Sequence, residues 1–254
     1  MIEEKEIKVS TTDPDSGYMY REGKPEGFFY LDHRTVDAKH TIITDAYVTA
    51  GNVHDSVPYL ERLKRQKERF QFSVEAVALD SGYLTTPICK ELKDQGIFAV
   101  IAHRRFHPTQ GLFPKWKFRY DSDLDSYECQ QGQILTYRTT TRDGYREYKS
   151  DPARCKECPV RTQCTRSKNC VKVLTRHVWE ENREWVKSNR LSDIGKELYK
   201  KRKEHIERSF ADSKQLHGLR YCRLRGKSGV EEQVLMTAAC QNIKKIATHL
   251  AKLA

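Results

Sequence analysis

Two carboxylates, four thiols and a set of guanidinium groups are the side chains of this sequence whose types and spacing could do chemistry. Asp80 closes a mostly apolar run, Val74-Glu-Ala-Val-Ala-Leu-Asp80, and Ser81-Gly82 breaks it. A carboxylate at the carboxyl end of a strand sits where open α/β sheets place their sites. Gly82, with no Cβ, would let a ligand approach the backbone closely. Glu207 comes 127 positions later, in a helical stretch that also carries Lys196, Lys200, Lys201, Arg202, Lys203, Arg208 and Lys214. If that helix packs on the sheet, the two carboxylates could share a divalent ion. Mg²⁺ (or Mn²⁺), with phosphate oxygens completing its shell, suits phosphoryl transfer. The plainer alternative is that Asp80 starts a turn and Glu207 joins i,i+4 ion pairs on a solvated helix.

The thiols are Cys129, Cys155, Cys158 and Cys164. Cys155-x-x-Cys158 is a zinc half-site, and Cys164 with the remote Cys129 could complete a tetrahedral shell. Such a closed shell would be structural, with no open position for a reacting water. Cys170 is a spare that could substitute for one ligand, and free thiols in a loop-rich region are the alternative. The guanidinium groups are Arg220, Arg223 and Arg225, followed by Lys227. Arg suits phosphate contacts; the alternative is a solubilising surface loop. The nine histidines show no metal-ligand spacing.

The totals agree with a polyanionic partner. Lys and Arg number 46 against 35 Asp and Glu, a net charge of +11. Eleven of those bases and four of the acids fall between Lys196 and Lys227. That skew points to nucleic acid. No apolar run reaches the ~18 residues of a membrane span. The opening Met1-Ile-Glu-Glu-Lys-Glu is polar and acidic, unlike a signal peptide. Eight cysteines in such a chain read as thiols or metal ligands, with no disulfides expected. A cytoplasmic setting is expected.

The elements that must position these groups emerge from pattern. Residues 1–27 read as an irregular lead-in. Phe28–Val36 and Thr41–Thr49 are β-rich and form an antiparallel hairpin. Asp55 or Ser56 offers an N-cap for a helix running to about Phe70. Val74–Leu79, a helix over about Thr86–Gln95 with Pro87 near its start and Gly96 as its stop, and Ile97–Ala102 make a βαβ unit. Its strands are expected to be buried and parallel. Helical pattern returns at about Val178–Ser188, continues in the basic helix up to His217, and ends in a helix over Val230–Leu253 capped by Ser228. In the basic helix Leu198, Ile206, Phe210 and Leu216 share an apolar side. The last helix is expected to bury Val234, Leu235, Ala238, Ala239, Ile243, Ile246, Ala247 and Leu250. The expected domains are 1–102, 103–176 (cysteine-rich, short strands and loops) and 177–254.

Several of these stretches resemble a known family. Leu79-Asp-Ser-Gly-Tyr83 after a β-run is similar to the second-Asp motif of bacterial insertion-sequence DDE transposases. Ile206-Glu-Arg-Ser-Phe-Ala-Asp-Ser-Lys214, followed by Gly218-Leu-Arg-Tyr-Cys-Arg-Leu-Arg-Gly226, resembles their final catalytic Glu helix. Thr12-Asp-Pro-Asp15, Gly51-Asn52 and the cysteine-rich insertion fit the same pattern, which covers essentially the whole chain. The resemblance implies an α/β (α+β) RNase H-like mixed sheet with flanking helices. It implies Mg²⁺-dependent cleavage and joining of DNA strands at transposon ends and target, with Asp80 and Glu207 as catalytic metal ligands. Lys203, Arg208, Lys214, Arg220, Arg223 and Arg225 would then lie along DNA, in a nucleoid-associated homo-oligomer.

Two departures stand out. Tyr199 and Arg202 keep the family's mutual spacing but lie one position too far from Glu207. The first catalytic Asp normally sits on an opening strand before the Thr-Asp-Pro segment, and Met1–Val9 offers no acid in that setting. The expectation is therefore a C-terminal fragment whose first strand is missing, inactive alone or completed by an N-terminal polypeptide. The competing readings are a non-catalytic zinc-containing DNA-binding protein and a metal-dependent nuclease.

Overall fold

The computed structural model describes residues 8–23, 25–103 and 109–253. Residues 1–7, on which the missing-strand reading partly rests, and His107 lie outside the described residues. The chain divides into two compact units, one formed by residues 1–102 with 186–254 and the other by residues 103–185.

In the first unit the lead-in contains a short strand, β1 (Gly17–Met19), paired antiparallel with the start of β2 (Gly27–Val36). β2 pairs antiparallel with β3 (Ile43–Ala50), the expected hairpin. α1 (Tyr59–Phe70) packs on β3 through Arg62, whose guanidinium donates to Asp45 at 2.6 Å and to the His33 carbonyl at 3.1 Å. Neither Asp55 nor Ser56 caps α1; Pro58 holds the cap position with no side-chain bond. β4 (Ala76–Leu79), α2 (Thr86–Asp94) and β5 (Phe98–Ile101) form the expected parallel βαβ unit.

β5 is buried, but β4 is not: Ala76 is exposed and Val77 to Leu79 are half-buried. The reason is topological. Among the described residues β4 pairs only with β5, in a two-stranded sheet separate from β1-β2-β3. An apolar run does not say how many neighbours its strand has.

The second unit holds β6 (Arg119–Asp121), β7 (Ser126–Glu128), β8 (Ile134–Thr140), β9 (Tyr145–Lys149), the short helices α3 (Pro152–Lys156) and α4 (Arg161–Cys164), and β10 (Val173–His177). Its strands form one antiparallel sheet in the order β10-β9-β8-β7-β6. The core is aromatic: Phe118, Tyr127 and Tyr148 pack with Leu135 and Leu174.

α5 (Glu180–Leu191) turns into the basic helix, α6 (Asp193–Leu216), through Ser192, whose hydroxyl accepts from the Gly195 amide at 3.1 Å. Gly195 is required: a Cβ there would lie 1.9 Å from the Asn189 carbonyl oxygen. α6 lies against β2, β4 and β5 at once, so one helix spans both sheets of the unit. Its most deeply buried positions are Gly195, Ser209 and Ser213; of the expected apolar side Leu198, Ile206 and Phe210 are half-buried and Leu216 is exposed. α7 (Gly226–Leu250) covers β3 with Val230, Val234 and Ala238. Leu235, Ala239, Ile243, Ile246, Ala247 and Leu250, expected to be buried, are exposed. Ser228 does not cap α7. Asp13 accepts from the Gly226 amide at 3.2 Å and Asp15 from the Lys227 amide at 3.0 Å. Among the described residues no helix is long and apolar enough to cross a membrane. The whole is a mixed α+β fold of several sheets and flanking helices, consistent with the RNase H-like class expected.

Candidate nucleic-acid and metal site

Asp80 ends β4 and caps the single 3₁₀ turn Ser81–Tyr83, its Oδ1 accepting from the Ser81 amide at 2.7 Å. Its side chain stays 57 % exposed, and Oδ2 lies 3.7 Å from the Arg202 guanidinium. Arg202 belongs to α6, so the helix does reach the acid, but with a base. Five residues further along, Glu207 has turned roughly 140° around the helix axis. It is exposed and lines a groove of about 410 Å³ with Phe210, Ala211, Lys214, Gln215 and Arg220. Three of the site residues read from the sequence, Glu207, Lys214 and Arg220, are thus brought together.

Lys203, Arg208, Arg223 and Arg225 are exposed as well. Among the described residues none of the six bases forms an ion pair, whereas Lys196 and Lys201 on the same helix pair with Asp193 and Glu197. Unpaired cations are the ones available to phosphate.

Sequence reasoning missed a second set of charges around this place. At Gly82 it is no ligand that approaches the backbone: a Cβ would meet the Asp55 carboxylate at 3.1 Å. Asp55 also stands 3.7 Å from His33 Nδ1. Tyr83 sits in the field of these groups. Burial chiefly raises its pKa; Asp55 and Asp80 add to that, while Arg62 and Arg202 oppose it. The other missed pair is Asp32 and Arg34 on β2. Arg34 bonds Asp32 through Nε at 2.9 Å and donates through Nη1 to Ser213 at 2.6 Å and Ser209 at 3.2 Å on α6. Gln241 of α7 accepts from Ser209 at 3.1 Å. Burial pushes the Asp32 carboxyl up, against the pull of Arg34, Arg62 and, from the groove, Lys214. No short sequence pattern signals such a network; directly bonded partners in it lie up to 179 positions apart.

His33 gives a pH dependence. It is buried, shares a 2.8 Å hydrogen bond with Thr49, and has its pKa pushed down to about 4, first by burial and then by Arg62. Between that value and the ~6.5 of an unfolded chain, the unfolded state binds the extra proton. Stability is therefore full above about pH 6.5 and is lost as pH falls toward 4. Urea midpoints are expected to drop from pH 7 to pH 5, and His33→Asn to flatten the difference. Equal slopes for both proteins would contradict the assignment.

In the second unit Cys129 and Cys164 lie against the aromatic core. Burial raises the Cys164 thiol pKa; Lys172 opposes this, and the charges of Cys155, Cys129 and Cys158 raise it further. Cys129, Cys155 and Cys158 are therefore within electrostatic reach of Cys164. Cys170 is engaged elsewhere, accepting from Arg161 at 3.3 Å.

The donor types fit the metals they suggest, although the structure does not bring Asp80 beside Glu207. Asp80 and Glu207 are solvent-facing hard donors, and Mg²⁺ is commonly held by one or two carboxylates with phosphate oxygens. The clustered thiols suit Zn²⁺. Among the described residues no group of three or more His, Cys, Asp or Glu is assembled as a metal cage.

Comparison with known proteins agrees with the reading of the basic helix. No curated protein and no solved structure matches the chain. Residues 128–247 match the family described as "Transposase DDE domain". The match includes Glu207, Lys214 and all four clustered cysteines and leaves Asp80 outside it. Over residues 128–247, a little under half of the chain, the sequence is therefore similar to the DDE transposase family.

Proposed function

We propose that this protein takes part in DNA transposition as a strand-cleaving and strand-joining DDE transposase that uses Mg²⁺ or Mn²⁺. The observation that carries this reading is the groove on α6, where Glu207 is flanked by unpaired Lys214 and Arg220 inside the transposase-matched segment. Asp80 and Glu207 would hold the divalent ion. When bound, it would neutralise phosphate oxygens and lower the pKa of an attacking hydroxyl. Lys214 and Arg220 would grip the scissile strand's phosphates, with Lys203, Arg208, Arg223 and Arg225 along the flanking backbone. Transposon ends and target are the DNA partners, in a synaptic homo-oligomer.

The two sheets of the first unit support a further element of this reading. α6 bridges them, yet the β2 edge beyond Phe29 and the outer edge of β4 pair with no described strand. An extended strand carrying another carboxylate, supplied by a complementing N-terminal polypeptide, would fill both edges. The test is a strand-transfer assay with transposon-end DNA and Mg²⁺, run with and without that polypeptide. Product should appear only with it. Robust product from the chain alone would refute complementation, and none in either case would refute the enzymatic reading.

The cysteine-rich segment 103–176 is proposed to hold one structural Zn²⁺ on Cys129, Cys155, Cys158 and Cys164. Metal analysis of the purified protein is expected to find about one equivalent, lost in Cys155→Ser and retained in Cys170→Ser. Protein free of zinc would remove the claim.

A further inference from the structure

α7 is apolar on two opposite sides. Val230, Val234, Ala238 and Gln241 are buried against the rest of the first unit. Roughly 170° around the helix runs a second stripe: Met236 is 61 % exposed, Ile243 66 %, Ile246 49 % and Leu250 59 %, with Leu253, 72 % exposed, in the turn that follows the helix. Ala239 completes it, exposed as well. The spacing is regular. Met236, Ile243 and Leu250 are seven apart, and so are Ala239, Ile246 and Leu253. These are the a and d positions of a heptad, the pattern that packs one helix seam against another.

We propose that this stripe is the seam of a two-helix coiled coil between two copies of the chain. A second copy fits for three reasons. The stripe is self-complementary, since a and d residues of one helix are the knobs that the same seam on a twin receives. The flanking e and g positions are Leu235, Cys240, Asn242, Ala247 and His249, with no Lys, Arg, Asp or Glu among them. In a chain of net charge +11, copies repel over most of their surface, and this neutral face is where they can approach. The third reason is size. Six mostly exposed side chains and their small neighbours offer on the order of 600 Å² per copy, about 1,200 Å² per pair, the lower bound of stable interfaces. The seam stops at Glu232, where the next d position is acidic.

The test is sedimentation of the nuclease-treated full chain across micromolar concentrations, without DNA or divalent metal. It is therefore independent of the strand-transfer reading. A monomer–dimer equilibrium is expected that tightens with added salt, because screening relieves like-charge repulsion. Dimers bridged by residual nucleic acid would loosen instead, which would count against the seam. Ile243→Glu with Ile246→Glu should weaken the dimer by roughly 100-fold or more, as burying unpaired charge at a seam demands, with helical circular dichroism unchanged and melting unchanged at dilutions where both proteins are monomeric, since both side chains are exposed in the monomer. Ile243→Leu should keep it. A monomeric wild type would overturn the proposal and leave the stripe to a different partner. A dimer that survives the double Glu variant would place the interface elsewhere and also overturn it.

Discussion

Replacing Arg34 by methionine is expected to cost about 3–5 kcal/mol of folding stability, the usual effect of removing one partner of a buried ion pair. The guanidinium is fully enclosed and the Asp32 carboxylate is 16 % exposed. Asp32 Oδ1 already lacks a hydrogen-bond partner among the described residues. Without Arg34 the carboxylate would be stranded, and the hydroxyls of Ser209 and Ser213, both buried in α6, would lose their donor. At roughly 2–4 °C per kcal/mol for a chain of this size, the melting temperature should fall by about 10 °C. The double variant Arg34→Met, Asp32→Asn removes the stranded charge and should recover much of the loss. Thermal and urea unfolding check both. If the single variant melts with the wild type, the clamp carries no weight. The loss also reaches function, because this clamp seats the helix that bears Glu207 on β2.

The second large effect is on strand cleavage. In the reconstituted reaction Asp80→Asn and Glu207→Gln are each expected to lower cleavage by about 10³-fold or more, while DNA binding survives. Because both are proposed to hold the same ion, the double variant should be hardly worse than either single one, as for residues that act as a unit. Lys214→Ala and Arg220→Ala should behave differently: weaker binding to all DNA sequences and a salt slope reduced by about one each. Additive losses for Asp80 and Glu207 would show that they do not share a ligand. Unchanged cleavage in either would exclude that carboxylate from the chemistry.

The features legible in the sequence and those hidden from it divide along the range of the interactions. The β2–β3 hairpin, α1, the βαβ unit with its Pro87 and Gly96 punctuation, and the long basic helix are local patterns, and pattern finds them. Cys155-x-x-Cys158 is noticeable in the sequence because the spacing is itself local. β4 is misjudged because its apolar run cannot report a missing neighbour. α7 is misjudged because both of its sides are apolar, and a 3.6-residue stripe and a 3.5-residue stripe overlap in so short a helix. Arg34, Asp32 and Asp55 are invisible: single charged residues whose partners are brought near only by the fold. Arg202 is noticeable for its spacing to Glu207, yet the position it holds is beside Asp80.

The Thr12-Asp-Pro-Asp15 segment carries such long reach into the making of the fold. Asp13 and Asp15 supply to the first turn of α7 the acceptors that its own Arg225 does not provide. Asp13 is itself held by the Tyr30 hydroxyl at 2.7 Å. The lead-in and the last helix are thereby stitched together. During synthesis α7 emerges after every other described element and meets an anchor laid down before them all. Trimming the lead-in through Asp15 would accordingly fray the start of α7, and a protease that nicks it would register as disorder 213 positions away.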